Sequence, residues 1–191
     1  MNNIVEISNS IRSYFISLPE VQHCTIYGSV ANNTCDDYSD IDIELDVSGC
    51  DNSLFVLKVP EILGRLYPVI FFDYAPSLMP DNYVVSNAIS SDNPFLMVDI
   101  KCVATPHFTT VSKSDFPYDR VDHTLKVFVA NLKHSIRGVD CFNDIARMHK
   151  RVCRQSDLLA PEKMMENVFT WLEDNIDNTH QKFLDSLRNF L

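Results

Sequence analysis

One alternating segment constrains the fold of this chain more than any other feature. From Ile41 to Val47 the residues read Ile, Asp, Ile, Glu, Leu, Asp, Val, so apolar and acidic side chains alternate. Successive side chains of a β-strand point to opposite faces of its sheet. The segment therefore predicts a strand with one apolar face and one carboxylate face, and Asp42 and Glu44 share the second face.

The patterns around this segment predict alternating helices and strands. Apolar residues at helical spacing predict a helix from Ile4 to Leu18, which Pro19 ends. Another helix is predicted from Leu54 to Leu66, either kinked or begun afresh at Pro60. Further β-prone segments lie at 24–27, 69–74, 83–89 and 95–103, with turn signals at Pro76, Pro80 and Asp92-Asn93-Pro94. This order predicts a mixed α/β layer.

The last third of the chain has a different pattern. Residues 105–118 are rich in Thr, Ser, Pro and Asp without periodicity, which predicts a connection to a second subdomain. Helices are predicted at 121–136, 141–154, 161–176 and 178–191, and they would form a three- or four-helix bundle. We therefore divide the chain into a first domain at 1–112 and a helical subdomain at 113–191.

Composition excludes several classes of protein. No apolar run approaches the roughly 18 to 20 residues of a membrane helix, and the first residues lack the basic start of a secretory signal, so we expect a cytoplasmic protein. The six cysteines are scattered, which indicates neither a zinc site nor a disulfide framework. The net charge of -10 repels polyanions unless a basic patch is segregated on one face, so nucleic acid is not expected as a substrate.

Two short motifs have the residue types that nucleotide chemistry needs. Gly28 lets the backbone approach phosphates, Ser29 offers a hydroxyl and an N–H, and a helix beginning there would point its positive end at the anion. Asp40 and Asp42 stand two residues apart on one strand, so they point to the same side and can share a divalent cation.

The combination of these motifs resembles a known superfamily. An apolar strand, Gly-Ser, a gap from residue 30 through 39 and Ser39-Asp40-Ile41-Asp42-Ile43 are similar to the signature of DNA polymerase β-like nucleotidyltransferases. The pattern is closest to the lincosamide and aminoglycoside 2''-type antibiotic enzymes and covers residues of about 20 to 104. The resemblance implies an α+β fold, a mixed sheet with flanking helices and then a helical bundle. It also implies two Mg²⁺ ions, with Mn²⁺ as a substitute, and a nucleoside triphosphate, ATP by preference.

The resemblance also implies a third carboxylate on a neighbouring strand, and two residues qualify. We favour Asp99, because the stretch from Asp73 through Pro76-Ser77-Leu78-Met79 to Val98-Asp99-Ile100 resembles the antibiotic enzymes, in which a hairpin precedes the strand with the third acid. Asp73 is the alternative, since it follows the intervening helix as the third acid does in minimal nucleotidyltransferases. The third acid either binds the catalytic metal or takes the proton of the acceptor hydroxyl.

The sequence indicates the cations that would neutralise the triphosphate less clearly than it indicates the carboxylates. Antibiotic enzymes often carry Ala-Arg-Gly soon after Gly-Ser, whereas this chain has Val30-Ala31-Asn32-Asn33. Lys101 shares a strand face with Asp99, and Lys126, Lys133 and Arg137 lie along one line of a helix, which makes these four the candidate phosphate ligands. The alternative for the helix is a solvated face in which Asp122 pairs with Lys126.

The function implied by the resemblance is transfer of a nucleoside monophosphate to a hydroxyl of a small molecule, with release of pyrophosphate. The acceptor would be an aminoglycoside, a lincosamide or a natural metabolite, and a homodimer could complete its site. One alternative is an enzyme that places AMP on a protein, such as the toxin of a toxin–antitoxin pair. Another is a non-catalytic regulator that binds nucleotides.

Overall fold

The structure divides into two compact units. The computed structural model describes residues 2–75, 82–155, 157 and 159–191, and their side chains from residue 4 onward. Met1–Ser90 and Phe95–Tyr118 form the first unit, called here the sheet unit, and Ser91–Pro94 and Asp119–Leu191 form the second, the helical unit. The turn signals at Pro76 and Pro80 lie outside the described residues.

A five-stranded mixed sheet forms the centre of the sheet unit. Its strands are β1 (His23–Tyr27), β2 (Ile41–Asp46), β3 (Phe71–Tyr74), β4 (Asn82–Ala88) and β5 (Met97–Val103). They are arranged in the order β1-β2-β5-β4-β3. β2 and β5 pair in parallel, and the other neighbours pair antiparallel. The predicted mixed sheet is confirmed, whereas its identity as a nucleotidyltransferase fold stays a prediction.

The described residues of the sheet unit include three α-helices: α1 (Asn2–Phe15), α2 (Gly28–Ala31) and α3 (Asn52–Gly64). α3 starts earlier than the apolar pattern suggested, because the Asp51 carboxylate accepts a hydrogen bond from the Leu54 N–H at 3.0 Å and caps the helix. It continues through Pro60, so the helix does not begin afresh there.

The apolar face of the sheet is covered by α1 and α3. Ile43, Leu45 and Ile100 on the strands are fully buried, as are Phe15 of α1 and Leu63 of α3. Burying a side chain of this size contributes about 1.5 to 3 kcal/mol. The opposite face is therefore left for polar side chains, as the alternation in β2 predicts.

The connection between the units packs on the sheet unit. The Thr110 N–H donates to Asp51 at 3.1 Å, and the Phe116 ring stacks on Tyr83 with the centroids 5.3 Å apart. The boundary between the compact units accordingly falls after Tyr118, a few residues later than the division proposed from the sequence.

The helical unit contains four α-helices in its described residues. They are α4 (Arg120–Ile136), α5 (Phe142–Cys153), α6 (Pro161–Asn175) and α7 (Asn178–Leu187). Asp119 and Asp177 cap α4 and α7 through their carboxylates. Apolar side chains from all four helices are buried in this unit, Phe128, Ile145, Leu172 and Phe183 among them. Within the described part of the chain, no helix combines the length and the hydropathy needed to cross a bilayer.

Candidate active site on the acidic sheet face

A single row of side chains crosses all five strands on the polar face of the sheet. The strand register aligns Tyr27 with Asp42, Asp42 with Asp99, Asp99 with Ser86, and Ser86 with Asp73. Directly opposed residues of paired strands point to the same face. Three of the acids singled out from the sequence therefore share one row, and we call these five residues the central row.

Position in the central row separates the two candidates for the third acid. Asp99 lies on the strand next to Asp42, about 4.8 Å away by the usual strand spacing. Asp73 lies three strands from Asp42, which corresponds to roughly 14 Å. Asp99 is half-buried, whereas Asp73 is buried. Of the two acids, only Asp99 is thus within reach of a cation shared with Asp42.

Gly28 brings the predicted phosphate turn against Asp42. The backbone of Gly28 adopts the left-handed conformation, with φ +68°. A Cβ atom placed on Gly28 would lie 2.1 Å from Asp42 Oδ2 and 3.0 Å from Asp42 Cγ. A side chain at this position would displace Asp42 and is also disfavoured by the backbone conformation, so the carboxylate lies directly beside the turn backbone.

The helix that follows this turn is only one turn long. α2 has only four residues, and the Asn32 N–H closes it on the Gly28 carbonyl at 3.2 Å. The macrodipole sums aligned peptide dipoles, so a single turn adds little to it. Phosphate binding at this place would depend on the N–H groups of the turn and the Ser29 hydroxyl rather than on a helix dipole.

Ser39 holds the loop that leads into β2. Its hydroxyl donates to Asp36 Oδ1 at 2.8 Å and accepts from the Asp36 N–H at 2.9 Å. The Tyr38 ring packs edge-on against Phe95 with the centroids 5.1 Å apart. These contacts fix the backbone immediately before Asp40, so Ser39 has a structural role in this loop.

The pKa of Tyr27 reflects the negative charge on the polar face of the sheet. Burial, followed by the charges of Asp42, Asp99, Glu44 and Asp40, raises the pKa of the Tyr27 phenol to about 12. Its side chain is still 38% exposed. The phenol therefore stays protonated at neutral pH and provides a hydrogen-bond donor among four carboxylates.

Lys101 already has a carboxylate partner. Its Nζ lies 2.8 Å from Glu44 Oε2, and the two side chains are 31% and 40% exposed. The register places Glu44 opposite Lys101, one row along from the central row. A phosphate contact by Lys101 would therefore compete with Glu44, a partner that local strand alternation does not identify.

The other candidate phosphate ligands belong to the helical unit. Lys126 and Lys133 are half-buried on α4, and Arg137 is exposed at its C-terminal end. Asp122, considered above as a partner of Lys126, lies 2.9 Å from His180 Nε2 through its Oδ1 atom.

The carboxylates have the chemistry of ligands for a hard divalent cation, but they are not already grouped as a metal site. Mg²⁺ and Mn²⁺ prefer carboxylate oxygens, and the turn at Gly28 leaves backbone N–H groups beside Asp42. Within the described residues, no three His, Cys, Asp or Glu side chains are already grouped as a metal site. The cation site at Asp40, Asp42 and Asp99 therefore stays a prediction.

Two residues of the central row were not found from the sequence. Tyr27 ends the apolar strand before Gly28, and only its alignment with Asp42 places it on the acidic face. The Ser86 hydroxyl is buried without a hydrogen-bond partner among the described residues. Strand alternation alone cannot identify Tyr27 or Ser86 as part of this row, because local periodicity does not specify the register between strands that are distant in sequence.

Comparisons with known proteins give little additional information. No protein-family model and no curated protein matches the chain. Among solved structures, a chain in the structure of the GLD-2/RNP-8 complex is similar at a TM-score of 0.35 and 13% identity. The similarity covers 100% of this chain but 59% of that one, so the chain spans less than two thirds of its neighbour. A similarity at this level assigns neither a family nor an activity.

Proposed function

We propose that this chain is a metal-dependent nucleotidyltransferase that moves a nucleoside monophosphate, AMP by preference, from a nucleoside triphosphate to a hydroxyl of a small molecule. The observation that supports this most is the place of Asp42 in the sheet. It lies beside the Gly28 turn and is aligned with Asp99 on the adjacent parallel strand. Asp42 thus lies beside both the turn that we propose to bind phosphate and the second carboxylate, Asp99.

In this proposal the chain holds the donor at two places. The Ser29 hydroxyl and the N–H groups of the turn would bind the β- and γ-phosphates. Asp40 and Asp42 would hold two Mg²⁺ ions, and Asp99 would either be their third carboxylate ligand or take the proton of the acceptor. Such ions neutralise the charge on the phosphates and stabilise the leaving pyrophosphate. Lys101, Lys126, Lys133 and Arg137 stay predicted phosphate ligands.

The reaction then needs only in-line displacement and one proton transfer. The acceptor oxygen forms a bond to the α-phosphorus as the bond from that phosphorus to the bridging oxygen breaks, and pyrophosphate leaves. The acceptor proton passes to a carboxylate of the central row. Asp99 is our choice, because an acid beside Asp42 is close to the reacting atoms and still half-exposed.

The acidic face favours an acceptor with positive charge. Four carboxylates act on Tyr27, and Lys101 is the only cation on the described strands. A cationic molecule would be attracted to such a face. Aminoglycosides and lincosamides carry both hydroxyl and amino groups, so they are the first acceptors to test.

The test measures pyrophosphate release with each of the four nucleoside triphosphates, Mg²⁺ and a panel of such acceptors. We expect Asp99→Asn to lower turnover by at least a factor of 100, because it removes a carboxylate that the transition state requires. Asp73→Asn should retain turnover, since Asp73 lies three strands from Asp42. Asp37→Asn, in the exposed loop before β2, is the matched control.

Folding of each variant is checked by circular dichroism and urea unfolding. An Asp73→Asn variant that folds but is inactive, together with an active Asp99→Asn variant, would make Asp73 the third acid. Radiolabelled ATP added to cell lysate separates the protein-modifying alternative, which requires a labelled protein band. Tight Mg²⁺-dependent ATP binding without release of pyrophosphate would instead support a non-catalytic regulator.

A further inference from the structure

One face of α5 has a concentration of positive charge that the proposed reaction does not use. Arg147, Lys150 and Arg151 lie on α5 and Arg154 is its C-terminal cap residue. Lys150 and Arg151 follow Arg147 by three and four residues, which places these three on one side of the helix, and Arg154 comes directly after its last residue. All four are exposed. We call them the α5 basic stripe.

The stripe has little acidic compensation. Residues 145 to 156 contain no Asp or Glu. Arg147 lies 3.4 Å from Asp144, but both side chains are largely exposed, at 78% and 58%. Neither Lys150 nor Arg154 has an ion pair with a described residue. Like charges three and four residues apart repel each other and destabilise a helix, so the fold alone does not account for four cations here.

Arg154 occupies a position that favours glycine. Its φ is 57°, in the left-handed region. Helices usually end with Gly or Asn in this conformation because a Cβ atom is disfavoured there. An arginine at this place costs conformational energy and adds one more positive charge to the stripe.

A fifth cation, Arg120, and the aromatic ring of Trp171 lie at the same end of α5. Arg120 Nη2 donates to the Val152 carbonyl at 3.0 Å. The Arg120 guanidinium also lies 4.7 Å from the centroid of the Trp171 ring. Arginine planes and aromatic rings are the groups on which unpaired bases stack.

We propose that the α5 basic stripe binds the phosphate backbone of single-stranded RNA. Arginine forms paired hydrogen bonds with phosphate, and four of the five cations at this end of the unit are arginines. The Arg120–Trp171 pair adds a place for a base, which favours RNA over an acidic protein. The net charge of -10 argued against nucleic acid only if no basic patch were segregated, and this stripe is such a patch.

The proposal does not depend on nucleotidyl transfer and can be tested separately. Fluorescence anisotropy of the full chain with a labelled single-stranded RNA of about 12 nucleotides should show binding at low salt. With about four phosphate contacts, the logarithm of the affinity should fall with the logarithm of the salt concentration at a slope of about -3.

Two variants and one control locate the site. Lys150→Gln and Arg154→Gly should each reduce the salt slope by about 0.7 and weaken binding at low salt. Arg154→Gly also relieves the left-handed backbone, so its midpoint in urea should not fall, and lost binding cannot be attributed to unfolding. Lys163→Gln removes an exposed cation from α6 and should leave binding unchanged.

Three results would overturn the proposal. The first is absence of RNA binding at low salt, and the second is equal binding by wild type and both stripe variants. The third is competition by polyglutamate as effective as that by unlabelled RNA, which would show a general preference for polyanions. Asp42→Asn should bind RNA normally whether or not the reaction proposed above is correct.

Discussion

At the scale of single residues, substitution of Gly28 tests whether the proposed site needs Asp42 to lie against the turn. In Gly28→Ala the new Cβ would lie 2.1 Å from Asp42 Oδ2, on a backbone with φ +68°. We expect a loss of about 1 to 3 kcal/mol in the free energy of unfolding from strain and displacement. We also expect pyrophosphate release to be lost, because Asp42 must move away from the turn. Urea unfolding and the turnover assay measure the two effects.

Gly138 provides the matched control for that variant. Its φ is +70°, nearly the same as that of Gly28, but a Cβ placed on it meets nothing within 4 Å. Gly138→Ala should therefore show the backbone cost alone and keep full activity. If the two variants lost the same stability and Gly28→Ala stayed active, the contact between the turn and Asp42 would have no functional importance.

Individual residues differ in how well the sequence predicts their surroundings. The faces of Asp42 and Glu44 follow from local alternation, and the structure has the same alternation of buried and half-buried residues along β2. The partner of Lys101 does not follow from it, because Glu44 is 57 residues away and meets Lys101 only through the register of two parallel strands. Contacts of this kind depend on strand order, which local patterns do not specify.

At the scale of elements, a histidine connects α7 to α4. His180 Nε2 lies 2.9 Å from Asp122 Oδ1, and His180 Nδ1 lies 2.6 Å from Asp177 Oδ1 at the start of α7. The hydrogen bond to Asp122, together with that to Asp177, raises the pKa of His180 from 6.5 to about 9. The protonated ring is thus the form that holds the two helices together.

This bridge predicts a pH dependence of stability. Because the pKa of His180 is higher in the folded state, its contribution is complete below pH 6.5 and is lost as the pH rises through about 9. The loss should be at most about 3 kcal/mol. Urea unfolding at pH 6 and pH 9.5 measures it, and His180→Gln should remove most of the difference. An unchanged difference in that variant would show that other groups cause it.

Helices and strands were predicted more reliably than their ends and their pairing. The helical period fixed α4 to α7 within a few residues, because each buries one apolar stripe. The start of α3 was missed, since a side-chain cap at Asp51 rather than the apolar pattern determines it. The parallel pairing of β2 with β5, on which the site depends, joins strands that are far apart in sequence.

At the scale of the whole molecule, charge is distributed unequally between the units. The sheet unit has five Lys and Arg against 14 Asp and Glu, while the helical unit has 11 against 12. Total composition therefore describes neither unit well. The acidic charge of the sheet unit agrees with the metal binding that we propose for its polar face. The helical unit is nearly neutral overall, and the α5 basic stripe is part of it.

The central claim is that the acidic face binds a nucleoside triphosphate through a metal ion, and calorimetric titration tests it most directly. A non-hydrolysable ATP analogue is titrated into wild type and Asp42→Asn, each with Mg²⁺ and with a chelator. We predict binding by wild type only with Mg²⁺, weakened at least 10-fold in Asp42→Asn. Equal binding by both proteins, or binding unaffected by the chelator, would contradict the claim.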